Sequence, residues 1–184
     1  MKRVLTAVAV MIAVVAFISA ANLIASPKEY PATVTFFGDD RLLPALVKDI
    51  SAAEESINCS LYMFKTDGND IDSTHLLLNA MLHALGNNVK LAVIFDIGDE
   101  DDLTTEFNLY TGNVLSRAGA TVVYDSPDRR LHTKMCVIDD DLLYIGSHNY
   151  TFSALKRNAE TTVRIRSKEV AAEALEYMRG LGLE

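Results

Sequence analysis

From residue 31 onward, short β-rich runs alternate with longer stretches whose apolar residues recur every three or four positions. ATVTFF (32–37) predicts a strand, and 41–55 predicts a helix with Leu42, Leu43, Leu46, Ile50 and Ala53 on one face. INCSLYMF (57–64) predicts a second strand. Asp72 or Ser73 is placed to cap a helix that runs to about Leu85 and stops at Gly86-Asn87-Asn88. VKLAVIF (89–95) has the continuous apolar character of a buried strand. A helix over 104–117, stopped by Gly119, and a strand over 120–124 follow. The order then changes. LHTKMCVID (131–139) and LLYIGS (142–147) are strands two residues apart, predicting a hairpin at Asp140-Asp141. A strand over 160–166 and a helix from Lys168 to Gly180 close the chain. The class is α/β: one domain, 27–184, with a mixed β-sheet flanked by helices on both faces.

The N-terminus has a different pattern. Residues 1–26 carry two cations, an apolar run from Val4 to Ile18 and then small residues, the layout of an export leader. Ser19-Ala20-Ala21 offers a cleavage site for a signal peptide. Residues 4–25 would also make about 33 Å of helix, enough to stay as a membrane anchor. Either way the body is expected outside the cytoplasm: periplasmic, secreted, or anchored facing outward.

Composition narrows the function. At 184 residues and 49% hydrophobic, the body can bury an ordinary core. A net charge of −8 argues against coating nucleic acid through overall charge, while leaving room for a local basic patch. Two cysteines without a C-x-x-C pair exclude zinc-finger and thioredoxin chemistry.

The chemistry concentrates in 131–160, LHTKMCVIDDDLLYIGSHNYTFSALKRNAE. Along a strand, His132 and Lys134 share a face, and an imidazole beside an ammonium makes an anion site with a nucleophile or acid–base group built in. Asp139 falls on the opposite face, so it reads as a support residue that pairs with a cation or a backbone amide. The hairpin returns Gly146, Ser147 and Asn149 toward the start of the motif. There Ser147 and Asn149 can donate to phosphate oxygens and Gly146 permits close backbone approach. Glu160, the carboxylate after the motif, begins the next strand and is placed to accept from an imidazole Nδ1–H and fix its tautomer.

His132-x-Lys134, Asp139, Gly146-Ser147-x-Asn149 reproduce H-x-K-x₄-D-x₆-G-S-x-N, and chance agreement at these six positions is on the order of 10⁻⁶. In this pattern the chain resembles the phospholipase D superfamily. Its opening strand–helix–strand and the Asn149-to-Glu160 spacing resemble the short single-motif bacterial endonucleases of that superfamily, over about 31–180. The resemblance implies a two-step, metal-free and cofactor-free phosphodiester cleavage through a phosphohistidine. Lys134, Ser147 and Asn149 would hold the phosphate, and Glu160 would orient His132. It also implies two motif histidines per site. This chain has one, so the second is expected from another copy in a homodimer with a shared site; His148 is the internal rival. The expected substrate is DNA or RNA, cut without sequence preference. The alternatives are a phospholipase acting on phosphatidyl or cardiolipin-like lipids and a non-catalytic phosphate- or nucleic-acid-binding module.

Other residues carry plainer expectations. His75 and His83 lie about 12 Å apart along one helix, too far to share a metal. The acidic run 99–102 lacks the spacing of a calcium loop. Cys59 and Cys136 read first as buried thiols, with an export-permitted disulfide as the alternative. Tyr62, Phe64, Tyr150 and Phe152 are candidates for base stacking or core packing. Arg129, Arg130, Lys156 and Arg157 flank the motif and read as a basic rim that draws polyanions into the site, with random surface scatter as the alternative.

Overall fold

The computed structural model describes residues 28–66, 73–98 and 102–183. The leader 1–26, and with it the choice between signal peptide and anchor, lies outside the described residues, as does most of the acidic run at 99–102. Among the described residues no helix is long and apolar enough to cross a membrane.

Among the described residues seven strands form one sheet: β1 (Thr33–Gly38), β2 (Ser56–Leu61), β3 (Lys90–Phe95), β4 (Thr121–Tyr124), β5 (Lys134–Ile138), β6 (Leu142–Gly146) and β7 (Thr161–Arg166). Their spatial order is β1-β7-β6-β5-β2-β3-β4. β2, β3 and β4 run parallel, and every other pairing is antiparallel, so the sheet is mixed as expected. One face carries α1 (Leu42–Ser51), α2 (Thr74–Gly86) and α3 (Leu103–Arg117); the other carries α5 (Lys168–Gly180). The alternation along the central strands explains both layers. Cys136 and Ile138 of β5 point to the larger core with Leu46, Ile50, Leu77 and Met81, while Met135 and Val137 point to the smaller core with Ala171, Ala174 and Met178.

Four local differences from the sequence reading have physical causes. The first helix ends at Ser51 rather than 55, because the amides of Glu54, Glu55 and Ser56 donate to the Asp139 carboxylate instead of continuing the helix. The hairpin turns one residue earlier than expected: Asp139 and Asp140 both take positive φ, 50° and 52°, the twist that a tight antiparallel connection requires. The motif strand begins at Lys134, not Leu131, so His132 sits in the segment entering β5. A short helix, α4 (Phe152–Lys156), capped by Thr151, was not anticipated.

The buried-thiol reading of the cysteines is corrected. Cys59 and Cys136 are joined in a disulfide. Antiparallel pairing of β2 with β5 places the two residues directly opposite one another, a register invisible across a separation of 77 positions.

Candidate active site

The site forms where β2, β3 and β5 meet, at the end of the sheet where the chain enters β5. Tyr62 follows β2, and its N–H donates to Thr133 O at 2.8 Å, locking the segment after β2 to the segment before β5. The Tyr62 ring then becomes a common wall. The His132 imidazole packs on it with ring centroids 4.6 Å apart, and Lys134 Nζ lies 4.7 Å from its centroid. On the outer side, Arg130 donates to the Tyr62 hydroxyl at 2.8 Å and pairs with Asp102 at 3.1 Å. His132 and Lys134 thus converge as the pattern implies, although His132 lies outside the strand. The lysine folds back further, donating to the carbonyl of His132 at 2.9 Å.

Electrostatics sets the protonation of this pair. The His132 pKa is lowered, first by desolvation and then by the charges of Lys134 and Arg130, with Asp96 acting against them. Its neutral form, the nucleophilic one, is therefore favoured. Lys134 is buried, and desolvation also lowers its pKa; Glu160 and Asp96 oppose that shift.

The other motif residues divide into two groups. Asp139 lies away from the imidazole: its carboxylate accepts from the backbone amides of Glu54, Glu55 and Ser56, which lower its pKa against the opposing burial. Gly146 sits where β6 and β7 nearly touch. A Cβ there would fall 2.3 Å from Thr161 O and from Thr162 Oγ1, so only glycine fits. Ser147 donates its hydroxyl proton to Glu160 and accepts from Thr161 N at 3.0 Å. Asn149 presents a buried Oδ1 that has no hydrogen-bond partner among the described residues.

Glu160 occupies a different place from the one expected. It accepts from Ser147 and from Asn158 and acts electrostatically on Lys134; no hydrogen bond or ion pair joins it to His132 among the described residues of one chain. His148 is fully engaged elsewhere, with Nδ1 against Thr162 Oγ1 at 2.8 Å and Nε2 donating to Asp39 O at 2.9 Å in a buried position. Those contacts remove it from the site within its own chain. Tyr62 appeared in the sequence only as a candidate stacking residue, and Asp96 was missed. The available signal for Asp96 was a carboxylate closing an otherwise apolar buried strand, at the strand ends where α/β sheets assemble their sites.

A groove of about 530 Å³ opens from this cluster, lined by His132, Lys134, Ile145, Gly146, Ala174 and Tyr177. It continues onto the part of the α5-side face that α5 leaves bare. Phe36, Val163, Ile145 and Met135 align across β1, β7, β6 and β5 in one row. Phe36 is 59% exposed, Ile145 40% and Tyr177 51%.

Comparison with known proteins gives a consistent family. Residues 46–181 match the family model described as "Cardiolipin synthase, PLD-like domain". The chain is 31% identical to "Phospholipase D" of Rickettsia prowazekii (strain Madrid E) over 132 residues, covering 71% of this chain and 58% of that protein. It is 31% identical to "Cardiolipin synthase B" of Escherichia coli (strain K12) over 123 residues, 61% of this chain and 28% of that one. It therefore spans less than two thirds of these relatives. Among solved structures, Nuc from Salmonella typhimurium, described as a phospholipase D family member, shares the fold with a TM-score of 0.69 at 19% identity, covering 82% of this chain and 94% of that chain. NucT from Helicobacter pylori gives 0.66 at 18% identity, with 82% and 96% covered.

Proposed function

Because the chain belongs to the phospholipase D-like family, whose members act on phosphodiesters, we propose that it is a metal-independent endonuclease working through a phosphohistidine on His132. The observation that carries this reading is the convergence of His132 and Lys134 on the Tyr62 ring, with Arg130 held at its outer edge. In the first step an imidazole nitrogen of His132 forms a bond to phosphorus while the bond to the leaving oxygen breaks, and a second imidazolium gives that oxygen its proton. In the second step water, deprotonated by the second imidazole, attacks phosphorus and releases His132. Lys134 and Asn149 neutralise and hold the phosphoryl oxygens, with Ser147 able to join them if its proton leaves Glu160. Nucleophile and charge are side chains, so turnover persists in EDTA.

The second histidine is His132 of another copy. The bare apolar face around Phe36, Ile145 and Tyr177 borders the groove that contains His132, so a two-fold axis through this face buries the patch and brings two imidazoles toward one phosphate. The disulfide supports a place outside the cytoplasm, where such bonds persist. Exposed Arg129, Arg130, Lys156 and Arg157, in a chain otherwise acidic, favour a polyanion as substrate. A phospholipid reading draws on the names of the curated relatives and on the apolar walls of the groove.

Two experiments test this reading. Plasmid DNA, RNA and phospholipid vesicles are assayed side by side in EDTA; cleavage of nucleic acid is expected, and cleavage of vesicles alone would replace the nuclease reading with the lipid one. Wild-type and His132→Ala chains are then mixed with random subunit exchange. Activity should fall as the square of the wild-type fraction, and a linear decline would refute the shared site.

A further inference from the structure

Asp96 is a carboxylate with no outlet to solvent. It closes β3, is fully buried, and accepts from Leu131 N at 2.6 Å through Oδ1. Its backbone carbonyl accepts from Asn108 Nδ2 at 2.9 Å, and its N–H donates to Leu61 O at 3.2 Å, so the residue is fixed from three directions. Its second oxygen, Oδ2, is buried and has no hydrogen-bond partner among the described residues. Native structures rarely leave a buried polar atom unpaired without a functional or strained setting. Arg130, the cation nearest in sequence to the site, directs its guanidinium to Asp102 and Tyr62 rather than to this oxygen.

We propose that Asp96 is the positioning residue for His132 within one chain: one carboxylate oxygen fixes the amide of Leu131, and with it the backbone entering His132, while the other supplies negative charge to the imidazole. This rests on His132 being the nucleophile. The charged and titratable groups around the imidazole are Lys134 on β5, Arg130 in the preceding segment, Asp96 at the end of β3, Tyr62 after β2, and Glu173 and Tyr177 of α5 across the groove. Among the described carboxylates, Asp96 raises the pKa of His132 and also that of Lys134, whereas Glu160 acts on Lys134 without acting on His132. Two cations beside His132 favour its neutral form and oppose the positive charge that appears when it is phosphorylated or protonated. The Asp96 carboxylate offsets that opposition; burial raises its own pKa, and the Leu131 amide and Arg130 act the other way to favour its charged form. In a shared site it also stabilises the protonated histidine that serves as acid.

The test is NMR titration of the four histidine side chains in the full chain, with His132 assigned by replacement. Asp96→Asn retains an acceptor for Leu131 N–H and removes only the charge. The expected result is a lower His132 pKa, a kcat/KM–pH profile displaced toward lower pH, a fall of about tenfold in kcat, and an unchanged KM. A folded Asp96→Asn protein with the wild-type His132 pKa would overturn the proposal. Asp125→Asn, at the other nearby carboxyl with an unpartnered oxygen, should leave the His132 pKa unmoved; an equal displacement there would reduce the effect to general charge and overturn it too. Should Asp96→Asn not fold, carboxyl titration of the wild-type chain decides. Mirrored inflections at Asp96 and His132 are expected, and independent titrations refute the coupling. None of these titrations uses a substrate, so they stand or fall separately from the nuclease reading.

Discussion

The aspartate of the H-x-K-x₄-D pattern gives a prediction that separates folding from chemistry. Asp139 lies in the turn between β5 and β6 and gathers three amides from the segment leading into β2: Oδ1 accepts from Glu55 at 2.8 Å and Ser56 at 3.0 Å, and Oδ2 accepts from Glu54 at 3.0 Å. It therefore ties the far end of β5 to the start of β2, the strands whose other ends carry His132 and Tyr62. Asp139→Asn keeps one acceptor oxygen, turns an NH₂ toward an amide that had a partner, and removes the charge. A hydrogen bond to a charged group contributes about 1.5–3 kcal/mol and a neutral one about 1. Losing one bond and weakening two then costs at least about 2.5 kcal/mol, and the solvent exposure of the Glu54 and Glu55 bonds keeps the loss near that lower end, about 2.5–3 kcal/mol. Asn tolerates the positive φ of this position, so backbone strain adds little; Asp139→Ala loses every acceptor and adds roughly 1 kcal/mol of strain, because Ala has no polar side chain to support the left-handed backbone.

The assay is urea unfolding of the two variants beside kcat measured on the folded fraction. Stability should drop by these amounts while kcat stays within about twofold, since Asp139 touches neither His132 nor Lys134. The pH dependence has a definite sign. The folded-state pKa of Asp139 lies below its ordinary value of 3.8, so its contribution is fully present above that value and is lost as pH falls through the folded pKa. Asp139→Asn should remove that part of the acid sensitivity. A variant with wild-type stability and a collapsed kcat would refute the structural role and return Asp139 to the reacting centre.

Further outcomes follow from other contacts. Replacing both Cys59 and Cys136 by Ala should lower unfolding free energy by about 4.5 kcal/mol, the chain-entropy value for closing a 77-residue loop; an unchanged denaturation midpoint would exclude that contribution. Gly146→Ala puts a methyl against the backbone of Thr161 and should cost about 1–3 kcal/mol, read as a lower Tm.

Which parts of this architecture were legible in sequence follows from the range of the forces involved. Alternation and helical period are local, and among the described residues they locate the seven strands and four of the five α-helices to within a few residues. The mixed sheet followed from a hairpin whose two strands are three residues apart. Strand order is non-local. Nothing in SINCSL or KMCVI states that they pair antiparallel, so the Cys59–Cys136 bond and the placement of Tyr62 beside His132 emerged only with the register. The early end of the first helix is of the same kind: its cause is Asp139, more than eighty positions away. The short helix after Thr151 is too brief for its periodicity to register.

The site shows the same division at the level of charge. Spacing correctly brought His132 and Lys134 together, because two residues along an extended chain point the same way. It could not distribute the carboxylates, since that depends on which strand ends face one another. Glu160, beside Ser147, acts on Lys134 and not on His132, whereas Asp96, from a parallel strand of the other half of the sheet, acts on both. Lys134 thus has one carboxylate of its own and shares the other with the imidazole. In the proposed reaction Lys134 stays charged to hold the phosphoryl oxygens, whereas His132 passes from neutral to cationic and back. Burial lowers the pKa of both groups. Glu160 sustains the charge on the buried ammonium without favouring the imidazolium, so the imidazole keeps its neutral, nucleophilic form beside a charged lysine.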